Sequence, residues 1–252
     1  MSHWLITGAG GLLGRELVAF LSAQDGERVT ALGRGSLDVR SRAAVEDAVL
    51  SIAPDVVVNC AAWTDAEAAE DHEFEALLVN GYGADHLAGA CLRSGAVLLH
   101  VSTDYVFDGA ATEPYDEDSP PRPLNAYGRT KLVGERAVLA RLPRRGYVVR
   151  TAWLYGKYGR NFVHTMMRLE RQQETVDVVD DQVGQPTWTR DLAWRIVELY
   201  RTGAPAGVYH GTSGGQTSWY GLACEVFALL GADPCRVRPI SSAQRDDRAV
   251  RP

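Results

Sequence analysis

Between His3 and Gly156 short apolar runs recur at intervals: "HWLIT", "RVTAL", "DVVVNCAA", "AVLLHVST" and "YVVRTAWLYG". Between them, "LLGRELVAFLSA", "SRAAVEDAVLSI" and "DHEFEALLVNGYGADHLAGACLRSG" place apolar residues three and four apart, the spacing of a helix with one buried face. The runs predict strands and the spaced segments predict helices, with Ser41 as an N-cap of the second helix and Gly95 closing the third. Strands that are apolar throughout must be covered on both faces, and the alternation with helices supplies that cover in a parallel sheet. The expected fold class is therefore α/β, a doubly wound parallel sheet of Rossmann type.

After the fifth run the regularity breaks down. Helical spacing returns in "NFVHTMMRLERQQ", "TRDLAWRIVELYRTG" and "SWYGLACEVFALLG", and extended character in "TVDVVDDQVGQPTW", "GVYHG" and "CRVRPI". The expected organisation is a dinucleotide-binding domain over 1–151 and a smaller mixed α/β lobe over 152–252, with a part near 176–210 returning to the first domain. One long acidic, proline-rich loop, "ATEPYDEDSPPRPLN", precedes "AYGRTKLVGE", and long loops in compact domains often carry function.

A formal charge of −6 argues against a nucleic-acid partner, which would need a basic field. The start "MSHWLITG" lacks a signal-type segment, and no apolar run approaches the roughly 18 residues of a membrane span, so a cytoplasmic address without membrane contact is expected. Cys60, Cys91, Cys224 and Cys235 show no CxxC spacing and no neighbouring His, and are expected to be free, buried thiols; no metal site is expected.

Two stretches add chemistry. In "TGAGGLLG", Gly8, Gly11 and Gly14 fall between the first strand and the first helix, where glycines permit a tight turn, close approach to a pyrophosphate and close packing of helix on strand. The acidic residue that usually ends the second strand of a dinucleotide site is absent from "VTALGRG"; Arg34 stands there, either as a donor fork for a 2′-phosphate, favouring NADPH over NADH, or as a loop arginine facing water. Asp38 and Val39 follow closely enough to border an adenine. In "LNAYGRTKLVGE", Tyr127 and Lys131 share a helix face, and an ammonium beside a phenol stabilises phenolate and makes it a working acid. Ser102 and Thr103 end the fourth strand, where ligands of open α/β sheets bind and where a hydroxyl can bond a carbonyl; the alternative is a hydroxyl capping the next turn.

Together, "TGAGGLLG", "NCAA", "LVN", "STDYVFDG", "PLNAYGRTKLVGE", "VVRTAWLYG" and "DQVGQPTWTRDLA" resemble the extended short-chain dehydrogenase/reductase superfamily and, within it, the dTDP-4-dehydrorhamnose reductase family. The resemblance implies reduction of the C4 carbonyl of a dTDP-4-keto-6-deoxy sugar by NAD(P)H, with Thr103, Tyr127 and Lys131 as catalytic set. It implies Gly8, Gly11, Leu12, Leu13, Gly14, Asp38, Val39, Ala61, Ala62, Asn80 and Ser102 at the cofactor, joined by Tyr127 and Lys131. It also implies Thr103, Asp104, Tyr105, Trp153, Asn161 and Gln185 at the nucleotide sugar; for Trp153 a core aromatic is the alternative. Sugar dehydratases that look similar carry Asp-Glu after the threonine, whereas this chain has Asp104-Tyr105. A cofactor-binding regulatory subunit and a nucleotide-sugar epimerase are the rival readings, and a homodimer stays open. The chain departs from the family pattern at "TDAEAAE", where Ala68 replaces a lysine, and at "SSAQRDDRAVRP"; the pattern also carries a closing segment and helix beyond its Arg-Pro pair.

Overall fold

The computed structural model describes residues 2–252. Strands β1 (His3–Thr7), β2 (Arg28–Leu32), β3 (Val56–Asn59), β4 (Val97–Thr103) and β5 (Gly146–Thr151) alternate with helices α1 (Leu12–Ser22), α2 (Arg42–Ile52), α3 (Ala66–Asp71), α4 (Glu73–Leu77), α5 (Gly83–Ser94) and α6 (Ala126–Arg141). The remaining elements are β6 (Leu154–Tyr155), α7 (Phe162–Gln172), β7 (Val176–Val179), β8 (Val183–Gly184), β9 (Thr187–Trp188), α8 (Thr189–Arg201), β10 (Gly207–His210), β11 (Thr217–Ser218), α9 (Trp219–Leu229) and β12 (Val237–Ile240). The main sheet is parallel throughout, six strands in the order β2-β1-β3-β4-β5-β10. The order reverses between β1 and β3, and a crevice opens at their carboxyl ends, the place where such sheets bind ligands.

Residues alternate between the faces of each strand, which is why the runs are apolar without interruption. Leu5, Val57, Leu98 and Val148 point to one side and pack with Val45, Val49, Leu87 and Val138 of α2, α5 and α6. Trp4, Ile6, Val56, Val58 and Val149 point to the other and pack with Leu13, Leu17, Leu192 and Ile196 of α1 and α8. Each fully buried side chain of this size contributes about 1.5–3 kcal/mol before the entropy of ordering is charged against it.

Ser41 caps α2 through the amide of Ala44, and Gly95, at φ 87°, ends α5 in the left-handed conformation that closes helices. The long helix expected before Gly95 is present from Glu73 to Ser94 and runs without a gap through α4, a π-helical turn over Leu78–Tyr82, and α5. The widened turn contains Asn80, whose side chain must reach back to the loop after β3.

The returning segment begins later than 176. Strand β7 pairs with β12, and Met166, Val176, Val178, Ala223, Val226, Phe227 and Val237 form a separate core under α7 and α9. Only α8, against α1, and β10, paired with β5, rejoin the main sheet. The expectation of buried thiols holds for Cys91; Cys60 and Cys224 are half-buried and Cys235 is exposed on a turn of the small lobe.

Candidate active site

Gly8 ends β1 at φ 64°, and a Cβ there would lie 2.5 Å from the Cys60 carbonyl carbon and the Ala61 nitrogen. A Cβ on Gly14 would lie 2.4 Å from the Gly8 carbonyl oxygen, so the glycine brings α1 directly onto the turn. Gly11 caps α1 with no side chain over the helix end, and around Gly10 there is open space. Free amides at the N-terminus of a buried helix, beneath an open backbone turn, are an anion cradle. The residues present therefore fit the pyrophosphate of a dinucleotide. Leu13 belongs to the core, while Leu12 is half-buried beneath Gly159 of the small lobe. Gly8→Ala is expected to destabilise the chain by well over about 1 kcal/mol and weaken NADPH binding at least tenfold, measured by denaturant midpoint and by fluorescence titration of NADPH.

Arg34 is exposed in the turn after β2, and that turn lies across the glycine loop, a Cβ on Gly33 falling 3.9 Å from the Gly10 nitrogen. Asp38 is held in a fork by Arg40 at 2.7–3.0 Å, which keeps its carboxyl below the usual range. Val39 is buried against Gly83, its carbonyl meeting the His86 ring. Asn80 was expected to line the cofactor. Its amide is instead committed, the oxygen accepting from the Trp63 amide and the nitrogen donating to the Trp63 carbonyl and Thr130. It acts on the site through the loop carrying Ala61 and Ala62, which it pins.

Thr103, Tyr127 and Lys131 converge at the carboxyl end of β4. Asn125 caps α6 through the Gly128 amide, and a Cβ on Gly128 would fall 2.1 Å from the Tyr105 carbonyl oxygen. The first turn of α6 is thus pressed onto the β4 end. The Thr103 hydroxyl donates to Asp104 at 3.0 Å, accepts from the Tyr105 amide at 3.2 Å and is in hydrogen-bonding reach of the Tyr127 phenol. Burial pushes the Asp104 carboxyl up to about 6, against the opposing effect of Thr103. The Tyr105 ring meets Tyr127 edge-on at 5.4 Å.

One expectation is not met at Tyr127. Tyr127 is not made more acidic by Lys131: burial pushes its phenol up, opposed by the Thr103 hydrogen bond and reinforced by Asp104 and Tyr105. The reason is that Lys131 Nζ donates to the Val101 carbonyl at 2.6 Å and meets His100 Nε2 at 3.4 Å. Ser102 likewise offers no hydroxyl to a ligand, because its Oγ donates to Glu135 at 2.5 Å in the core. Glu135 in turn takes a two-pronged bond from Arg150, 2.8 Å at the shortest, and Arg150 also donates to the Glu117 carbonyl at 3.1 Å, tying down the long acidic loop.

Between the lobes lies a cleft of about 1030 Å³ bordered by Asp104, Phe107, Arg150, Gln185, His210 and Arg251. Thr151 Oγ1 and His210 Nε2 are buried there without a hydrogen-bond partner among the described residues. Trp153 is held at φ 46°, rare for a bulky residue, with its ring stacked on Trp219 at 3.5 Å. Asn161 caps α7, its oxygen accepting from the His164 amide and its nitrogen donating to the Gly156 carbonyl, so its amide is occupied in shaping the β6–α7 turn.

A family model described as RmlD substrate binding domain matches residues 2–252. The dTDP-4-dehydrorhamnose reductase of Streptomyces griseus is 57% identical over 99% of this chain and 83% of its own length. A dTDP-4-keto-6-deoxy-D-glucose reductase from Streptomyces niveus is 55% identical over 99% of this chain and 86% of its length. The chain belongs to the dTDP-4-dehydrorhamnose reductase family. The crystal structure of a Bacillus anthracis dTDP-4-dehydrorhamnose reductase in complex with NADP superposes with a TM-score of 0.94 at 38% identity, covering 100% of this chain and 88% of that one.

Within this family fold, the departures from the family pattern acquire positions. Glu67 of "TDAEAAE" accepts from Arg251 at 2.6 Å and from the Arg248 amide at 2.8 Å, so the terminal strap is fastened to α3. Arg251 also acts on Tyr105, whose phenol burial pushes up to about 12 while the guanidinium pulls it down. The site-shaping groups unassigned from sequence are His100, Glu135, Arg150 and Arg251. Arg150 in "YVVRTAW" and His100 in "VLLHVST" each interrupt an apolar strand, which is the signal that marks a buried polar network. Among the described residues no group of three or more His, Cys, Asp or Glu is placed to hold a metal, and no helix is long and apolar enough to cross a membrane.

Proposed function

We infer that the protein reduces the C4 carbonyl of a dTDP-4-keto-6-deoxy sugar with NADPH, acting in deoxysugar biosynthesis in the cytoplasm. The observation that carries the reading is Thr103 at the end of β4 beside Tyr127, with Lys131 one turn along α6 and Asp104, bonded to Thr103, lining the cleft, in a family of such reductases. NADPH, when bound, supplies the hydride that the carbonyl carbon receives. Tyr127 gives its phenolic proton to the carbonyl oxygen, so that ketone and NADPH become alcohol and NADP+. Thr103, placed by the Tyr105 amide, holds that oxygen by turning its hydroxyl proton from Asp104 to it. Lys131 holds the ribose of the cofactor and stabilises the phenolate that remains. Trp153, Gln185 and Asn161 line or shape the sugar side, and Gly8, Gly11 and Gly14 cradle the pyrophosphate.

Mixing the protein with enzymatically generated dTDP-4-keto-6-deoxy sugar is expected to consume NADPH stoichiometrically with alcohol formed. Cofactor binding without consumption would favour the regulatory reading, and turnover with no loss of added NADPH an epimerase. Arg34 sets the coenzyme preference in this reading. Replacing it by Ala should lower the NADPH/NADH ratio of kcat/KM about tenfold or more, the worth of a charge-assisted bond to phosphate.

A further inference from the structure

His100 lies wholly inside the protein, on β4, between Asn59 and Lys131. Its Nδ1 is 3.0 Å from Asn59 Nδ2 and its Nε2 is 3.4 Å from Lys131 Nζ. The orientation of the Asn59 amide is fixed: its oxygen accepts from the Ala61 backbone amide at 3.1 Å and from the Thr7 hydroxyl at 2.7 Å. A backbone N–H can only donate, so the amide nitrogen must be the atom that faces His100. Nδ1 is then the acceptor, and because a neutral imidazole has one acceptor nitrogen, the ring proton sits on Nε2 and points at Lys131.

A donor facing an ammonium leaves both unsatisfied. A donor facing a neutral amine makes a hydrogen bond, and the amine can still donate to the Val101 carbonyl. We propose that His100, with its tautomer fixed by Asn59, is a positioning residue that disfavours the ammonium form of Lys131 in the chain without cofactor, and that a ligand's hydroxyl oxygens at Nζ restore the preference for the ammonium. The proposal rests on the reductase reading for its role in catalysis, but the state of Lys131 without ligand does not depend on the substrate.

The surroundings are consistent with this. Burial lowers Lys131 to about 8, against the pull of Glu135 and Cys60. Burial, then Lys131, keep His100 well below its ordinary value and hence neutral. The Cys60 thiol is pushed up to about 12 by burial and carries no charge at neutral pH. The Glu135 carboxylate, one turn along α6, is bonded to Arg150 of β5. Tyr127, one turn the other way, is a neutral phenol. Of the groups around Nζ, the Val101 carbonyl and Glu135 favour the ammonium, but the carbonyl also accepts from a neutral amine and the Glu135 charge is already engaged by Arg150.

The sequence makes the test direct, because Lys131 and Lys157 are its only lysines. In protein labelled with 13C at lysine Cε, two signals are titrated, the exposed Lys157 serving as reference. Lys131 of the cofactor-free wild type should titrate near 8, and titration in the ordinary lysine range near 10.4 overturns the proposal. Asn59→Asp would accept a proton-bearing Nδ1, turn the Nε2 lone pair toward Nζ and raise the Lys131 titration by about one pH unit or more. In the His100→Gln background the same substitution should raise it much less. An equal rise in both backgrounds would mean that the new carboxylate acts through space and not through the imidazole, which also overturns it. Should the variants not fold, imidazole 15N shifts of the wild type decide: protonation at Nε2 supports the proposal and protonation at Nδ1 ends it. NADP+ binding above pH 8 should further take up a proton, seen by calorimetry in buffers of different ionisation enthalpy, and binding without uptake removes the coupling.

Discussion

Tyr127→Phe is expected to lower turnover at least about a hundredfold, the typical worth of a positioned general acid, while NADPH affinity stays within a few-fold of the wild type. The ring itself is retained, and with it the edge-on contact to Tyr105 at 5.4 Å and the packing against Trp63, Ala69, Ala76 and Ala126. What is lost is the phenolic proton and its partnership with Thr103. Steady-state kinetics beside a direct NADPH titration check both halves. Near-normal turnover would take Tyr127 out of the proton-transfer role, and lost cofactor binding would show that its hydroxyl serves the cofactor instead. Because burial raises the phenol, the cofactor-free protein should show no tyrosinate absorption from this residue at neutral or mildly alkaline pH.

Arg150→Met should cost about 3–5 kcal/mol of stability, since it strands Glu135 as an unpaired charge in the core. The pair is almost without solvent contact, 5% and 2% exposed, and its three bonds run at 2.8–3.3 Å. The double variant Arg150→Met/Glu135→Leu should recover most of the loss, because two apolar side chains bury there without desolvating charge. Urea midpoints of the two single variants and the double variant measure this. A single variant within about 1 kcal/mol of the wild type would mean that water or a rearranged Ser102 compensates the stranded carboxylate. Since Arg150 also binds the Glu117 carbonyl, the same substitution should loosen the acidic loop and raise KM more than it lowers kcat.

The central sheet was legible because both its faces are covered: Leu5 and Ile6 are neighbours in sequence yet belong to opposite cores. The glycine turn was legible because only glycine fits between β1 and the Cys60–Ala61 backbone. Less legible was the register of polar partners. Nothing in "VST" says that Ser102 faces Glu135 while Thr103 faces the cleft; that follows from the two-residue period of β4 once the sheet is placed. The π-helical turn at Asn80 preserves helical spacing closely enough to read as one helix. The small lobe was least legible, since its two-stranded sheets of two to four residues leave hardly one period of pattern each. Lys131 sits where the Tyr–Lys spacing places it, but its partners come from β4, so its state was not readable from α6 alone.

The return of α8 and β10 to the main sheet bears on the order in which the protein is made. Leu192, Ala193, Ile196 and Val197 of α8 cover the same face as Trp4, Ile6, Val56 and Val58, yet they leave the ribosome after the whole of α7 and β7. At about 5–20 residues per second, the nascent sheet waits on the order of 2–10 s with that apolar face covered by α1 alone and β5 as an unpaired edge. A chain halted after β5 is therefore a sticky intermediate and not a small independent dinucleotide-binding module, and the nascent chain should be a client for chaperones until Arg201 and His210 have emerged.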